Sequence, residues 1–287
     1  MKSLKLPFFS LAVSVFALGC ANENFPKYQK LDSFRVIGIQ ADKPEVLIST
    51  LPATVTLTPI LSDTGSGGRT VTITGSACPD PGINFGAEPT CDQSPLKVDL
   101  SIPAVTPGAV ANNSQVFGTP SLTGSTPSFT VTVPTGLTTG RGTTDLFNGI
   151  GYLVSLRFQA GDKVVRAYKR IAISNKTTAN LNPSITSVLG NGSALTVLPT
   201  ADVTLSVQTS APASYEAMSS EGIITSRTES LRVTYFHTDG LMKFARLSPS
   251  ETNTWTPPSV APTGRPTTLV VVVYDGLGGM AYRVVDL

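Results

Sequence analysis

The stretch Tyr152-Leu153-Val154-Ser155-Leu156-Arg157-Phe158-Gln159 sets Tyr152, Val154, Leu156 and Phe158 against Leu153, Ser155, Arg157 and Gln159. Side chains of an extended chain point alternately to opposite faces, so this is a strand with one dry face. Gly161-Asp162 then supplies a tight turn into a second extended run, Val164–Ile173. The same alternation recurs outward in both directions. Toward the N-terminus it predicts strands at Phe34–Gln40, Ala53–Leu61, Arg69–Thr74, Lys97–Ile102 and Phe129–Val133. Toward the C-terminus it predicts Ser184–Leu189, Ala194–Leu198, Val203–Gln208, Ser230–His237, Leu241–Leu247, Leu269–Tyr274 and Met280–Val285. Leu269–Tyr274 is apolar on both faces, which predicts a central sandwich strand. Asp239-Gly240 and Asp275-Gly276 are hairpin turn signals. Only Thr144–Asn148 suggests a helical turn.

Short strands joined by turns at this spacing indicate antiparallel β-sandwiches. Composition agrees. Gly (25) and Pro (22) are frequent, and charged residues make up only 14%. The polar stretch from Ser174 ends at Asn182-Pro183, which divides the chain into sandwiches over 31–174 and 184–287 with a linker at 175–183. The expected fold class is all-β, two tandem sandwiches.

The N-terminus has a different character. Lys2 and Lys5 precede an apolar run, Leu6–Leu18, far short of the ~20 residues that span a bilayer as a helix. It reads as an export signal. The run ends in Ala17-Leu18-Gly19-Cys20, which resembles the lipobox of bacterial lipoproteins, although Ala17 stands where Leu is commonest. The resemblance implies cleavage after residue 19, a diacylglycerol thioether on Cys20 and acylation of its amine. The mature protein would then be anchored in a membrane, on a polar tether over residues 20–30. Ala21, rather than Asp, after the cysteine implies sorting to the outer membrane. Cys78 and Cys91 are then the remaining cysteines, and an exported chain with two of them most simply forms one disulfide.

A second resemblance covers residues 31–287. Phe34-Arg35-Val36 through Ala41-Asp42-Lys43-Pro44-Glu45-Val46 resembles the first strand and Pro-Glu-Val corner of immunoglobulin-like domains. Tyr235-Phe236, Trp255-Thr256-Pro257-Pro258 and Tyr274-Asp275-Gly276-Leu277-Gly278-Gly279 are similar to segments of cadherin-like and PKD-like repeats. The Trp-Asp-Phe-Gly-Asp-Gly signature of the PKD family is absent, and Trp255 does not lie between paired cysteines. The resemblance implies a fold and little about activity.

Without residues 1–19 the chain carries 19 basic and 19 acidic side chains, a balance that argues against nucleic acid as a partner. His237 is the only histidine and no Gly-x-Ser-x-Gly elbow accompanies it, so it is read as a partly exposed strand residue. Two cysteines and one distant histidine cannot make a zinc site. Asp239 and Asp275 are read as turn residues, with calcium at the domain ends as the alternative. Gly65–Gly68 lacks the Lys-Ser/Thr of a phosphate loop. Tyr235, Phe236 and Trp255 are assigned to a core rather than to a ligand platform. No catalytic residue, metal or cofactor is expected. The expected function is a non-enzymatic envelope module that binds a protein or glycan partner. The alternatives are a subunit of an envelope assembly and a hydrolase whose carboxylates meet only in the fold.

Overall fold

The computed structural model describes residues 28–63, 69–82, 88–104, 116–117, 128–263 and 265–287. Cys20, the signal segment and Gly65–Gly68 lie outside them. The first half contains β1 (Arg35–Ala41), β2 (Glu45–Leu47), β3 (Ala53–Ser62), β4 (Val71–Pro79), β5 (Val98–Leu100), β6 (Val116–Phe117), β7 (Phe129–Val133), α1 (Thr143–Asn148), β8 (Ile150–Ala160) and β9 (Lys163–Ser174). One sheet is built on β3, with β1 on one side and β6 and β7 on the other. The facing sheet has the order β2-β9-β8-β4-β5. The stretch that opened the sequence reading is β8. It pairs with β9 from Ile150↔Ile173 to Ala160↔Lys163 across the Gly161-Asp162 turn. Pro44, which can donate nothing to a ladder, sits where the chain leaves β1 and crosses to the other sheet. There β2 pairs parallel to β9. Tyr152, Val154, Leu156 and Phe158 meet Val55, Leu57, Val131 and Ile171 in one buried core.

The second half contains β10 (Ile185–Gly190), β11 (Ser193–Ala194), β12 (Val203–Thr209), β13 (Ser214–Met218), β14 (Ile224–Thr228), β15 (Arg232–His237), β16 (Leu241–Met242), β17 (Arg246–Leu247), β18 (Asn253–Thr256), β19 (Thr268–Tyr274) and β20 (Met280–Asp286). The sheet β11-β10-β12-β18-β16 faces the sheet β17-β15-β19-β20, while β13 and β14 form a separate hairpin. Trp255, Tyr235, Leu205, Val233 and Val271 fill the space between the two larger sheets. Each half is a β-sandwich of two facing sheets.

Three local expectations need correction. The expected strand Ala194–Leu198 is reduced to the two-residue β11, Ser193–Ala194. Asp239-Gly240 does not close a hairpin. The chain passes there from β15 in one sheet to β16 in the other, because β16 pairs with β18. Gly240 has φ +80°, and a Cβ on it would lie 2.3 Å from the Thr256 carbonyl oxygen, so only glycine fits this corner. The expected strand Leu241–Leu247 is likewise split between two sheets, as β16 and β17. The Asn253 side chain holds the break, accepting from the Phe244 amide at 3.0 Å and donating to its carbonyl at 2.8 Å. The hairpin β13–β14 had no signal in the alternation, because every residue of β14 is exposed.

The sandwiches share a third apolar cluster. Ile37 and Ile60 from the first and Phe236, Val270, Val272 and Met280 from the second are buried together with Leu31. A bulge between Val36 and Gly38 lets Ile37 and Gly38 both face the second sandwich. A Cβ on Gly38 would lie 2.7 Å from the Met280 Cε. Leu269–Tyr274 is thus apolar on both faces for two reasons. Leu269, Val271 and Val273 fill the core of their own sandwich, and Val270 and Val272 face the other one.

Candidate functional site

One organised feature outside the cores lies on the outer face of the β4-β8-β9 sheet. Strand register places Ser76, Ser155 and Tyr168 in one row across it and Thr74, Arg157 and Arg166 in the next. Serines beside a tyrosine leave a step in the surface. The loop after β4 makes the opposite wall of a groove, through Glu88, Pro89, Thr90 and Asp92.

The Cys78–Cys91 disulfide holds that loop in place, with Cα atoms 5.6 Å apart. Both cysteines are fully buried over Leu153, forming a small apolar cluster on the outer face. Leu153 is therefore buried although it points away from the sandwich core. Closing a loop of this length contributes ~3 kcal/mol in the chain-entropy account. At the loop's far side, Asp80 forms an ion pair with Arg170. Arg166 meets Glu88 at 2.8 Å. Thr90 and Lys97 hydrogen bonds hold the Asp92 carboxyl below the ordinary carboxylate range.

Tyr168 is about half exposed, at 52%. The Arg170 guanidinium carbon lies 5.3 Å from its ring centroid, a cation–π distance that steadies the ring. Arg157 spends one nitrogen on the Gln159 amide oxygen at 2.7 Å. The groove thus presents an exposed aromatic ring, hydroxyl groups and paired charges of both signs. Sequence reading noticed none of these residues as a site. Alternation marks Ser155, Arg157, Arg166 and Tyr168 only as an outer face, and the register that aligns them across three strands cannot be read from one strand.

The second polar cluster sits at the junction of the sandwiches. Glu45 is buried and accepts from Lys176 Nζ at 3.2 Å and from the Asn180 amide at 2.5 Å. The Asn180 side chain donates to Asp275 Oδ2 at 2.6 Å. The other Asp275 oxygen takes the amides of Leu277 and Gly279, at 2.7 and 2.9 Å. Lys169 Nζ donates to the Gly278 carbonyl. Burial pushes its ammonium down to about 8, against the attraction of Asp275. Asn182 donates to the Ala41 carbonyl at 2.6 Å and accepts from the Met280 amide at 3.0 Å, so it bonds both sandwiches. Glu45 and Asp275 both accept from Asn180, and each is consumed by junction hydrogen bonds. The arrangement locks two bodies together.

The remaining candidates resolve individually. Asp239 grips Arg265 through two bonds, at 2.5 and 2.6 Å. Burial raises its carboxyl, and Arg265 and Thr238 outweigh this to hold it below the usual range. Among the described residues no three of His, Cys, Asp and Glu gather as a metal site. His237 was expected to be partly exposed and is 1% exposed instead. Residues 28–31 cover it: the Leu31 amide donates to its carbonyl at 2.7 Å, and its own amide donates to Gln29 at 2.9 Å. The end of the expected tether is therefore bonded to the edge of β15. His237 Nδ1 lies 3.0 Å from the Asp239 carbonyl. Trp255 is fully buried and donates Nε1–H to the same carbonyl at 3.2 Å. Tyr235 lies in the second core, while Phe236, one residue on, faces the first sandwich.

No family model and no curated protein matches this chain. Among solved structures, it is similar to the D00-D0 domain of intimin at 10% identity and a TM-score of 0.24, covering 89% of this chain and 98% of that one. The YadV chaperone gives 10% identity and a TM-score of 0.24, covering 87% and 99%. The Yersinia pseudotuberculosis adhesin InvE gives 13% identity and a TM-score of 0.20, covering 87% of this chain and 58% of that one. Likeness of this size extends no further than β-rich architecture, and the fold rests on the sheets themselves.

Proposed function

We propose that this chain is a lipid-anchored, non-enzymatic module of a bacterial cell envelope that presents its first sandwich to a protein or glycan partner. Cys20 carries the anchor in this reading, after removal of residues 1–19 and with sorting to the outer membrane. The lipobox-like Leu18-Gly19-Cys20 supports it. Among the described residues no helix is long and apolar enough to cross a membrane. The observation that carries the binding role is the groove beside the Cys78–Cys91 loop, where Tyr168, Arg157 and Arg166 share one open sheet face. Binding sites of this kind place a few polar groups around an aromatic surface.

A photocrosslinking side chain at Ser155 tests this in intact cells. The expected result is an adduct with an envelope component that the same group at exposed Val260 does not form. Equal labelling from both positions would remove the groove as the binding surface.

A second reading, a subunit of an envelope assembly, is favoured by β14. All five of its residues are exposed, and its outer edge has no partner strand among the described residues. Such an edge can accept another chain's strand.

A further inference from the structure

We infer that the groove on the β4-β8-β9 face takes an uncharged saccharide, stacked on Tyr168 and held by Arg157, Arg166 and Glu88; this rests on the groove being the binding surface. Three features select that chemistry.

The first is shape. In register with Tyr168 across the sheet stand Ser155 and Ser76, two of the smallest side chains. The ring therefore rises beside a low floor, and the apolar C–H face of a six-membered sugar ring fits against a wall of that kind. Aromatic rings bury large areas at little entropic cost, and Arg170 already orients this one.

The second is charge. The lining holds two acids, Glu88 and Asp92, and two bases, Arg157 and Arg166. Arg166 is paired with Glu88 at 2.8 Å, and Asp92 with Lys97 at 3.4 Å. A phosphate or sulfate polymer needs surplus positive charge, and a basic peptide needs surplus negative charge; this groove has neither. Carboxylates and guanidinium groups held side by side instead match vicinal hydroxyl groups, which both donate and accept.

The third is the backbone. β8, the floor of the groove, is paired along both edges, with β4 and with β9, so it offers side chains rather than open backbone. A saccharide needs only side chains. Thr74, Ser76, Thr90 and Ser155 supply the hydroxyl groups.

The test is binding of the full mature chain to immobilised neutral oligosaccharides, with uronate- and sulfate-bearing oligosaccharides alongside. The expected result is retention on neutral probes that weakens about tenfold or more in Tyr168→Ala and survives in Tyr168→Phe, which keeps the ring. Tyr168 is half exposed, so neither change disturbs a core. Arg166→Ala is expected to weaken binding, while wild-type retention changes little with salt. Preference for the sulfated probes with steep salt dependence overturns the inference, as does neutral binding unchanged by Tyr168→Ala. If no saccharide binds while the Ser155 crosslink to an envelope protein is lost in Tyr168→Ala, the inference fails and the binding-module reading stands. If the crosslink is also absent, both fail.

Discussion

Lys169 keeps an ammonium group in the junction, where burial lowers its pKa to about 8 from an ordinary 10.5. Below that window both the folded and the unfolded chain hold the proton. Within it the unfolded chain holds more protons, so stability should rise with pH between the two values. Lys169→Met should abolish that rise, and denaturant midpoints of both proteins across the window measure it; a falling wild-type contribution would contradict the assignment. Tyr152 is a different case. Its hydroxyl is buried without a hydrogen-bond partner among the described residues. Tyr152→Phe removes a polar group that gains nothing from burial, and should stabilise the chain by about 1 kcal/mol in equilibrium unfolding. The alternation set Tyr152 on one face with Val154, Leu156 and Phe158, and that is the face the core covers. It could not identify Asn182 as the residue that bonds both sandwiches, since that role depends on two partners at Ala41 and Met280, far away in the chain.

The disulfide loop and the β13–β14 hairpin are both held by contacts from outside their own strands. Replacing Cys78 and Cys91 together by Ala should cost about 3 kcal/mol of unfolding free energy and loosen the groove wall. In the wild type, thiol labelling of denatured, unreduced protein should find neither cysteine. The hairpin is bonded to the first sandwich through Asn148. Asn148 donates to the Met218 carbonyl and accepts from its amide, both at 2.8 Å, as a neighbouring strand would. Asn148→Ala should release this clasp and speed hydrogen exchange at the Met218 amide by tenfold or more, about the effect of losing 1.4 kcal/mol of local protection. Unchanged exchange would show that the hairpin is held elsewhere. The disulfide was legible because it needed only a cysteine count and an exported context. The hairpin was not, since a strand exposed on both faces carries no hydrophobic period. The corner at Gly240 looked like a hairpin because Asp-Gly supports either path, and only the pairing of β16 with β18 distinguishes them.

At the scale of the whole molecule, the two sandwiches act as one body. Ile60 is fully buried at their shared cluster beside Val270, Val272 and Phe236. An apolar side chain of this size contributes about 1.5–3 kcal/mol when buried. Ile60→Asp should place an unpaired charge there and split a single calorimetric unfolding transition into two; two separate transitions in the wild type would refute the coupling. Both apolar faces of β19 were visible in the sequence, but the residues that cover the second face belong to another domain and carry no local signal. Residues 28–31 are bonded to β15, so in the proposed reading the locked pair of sandwiches gives an anchor at Cys20 a defined body to hold. That makes attachment at Cys20 the central claim. Mass analysis of the N-terminal peptide from the protein isolated from cell membranes tests it most directly. The account predicts a chain that begins at Cys20 and carries a diacylglycerol thioether with an acylated amine. A chain beginning elsewhere, or an unmodified Cys20, would contradict it.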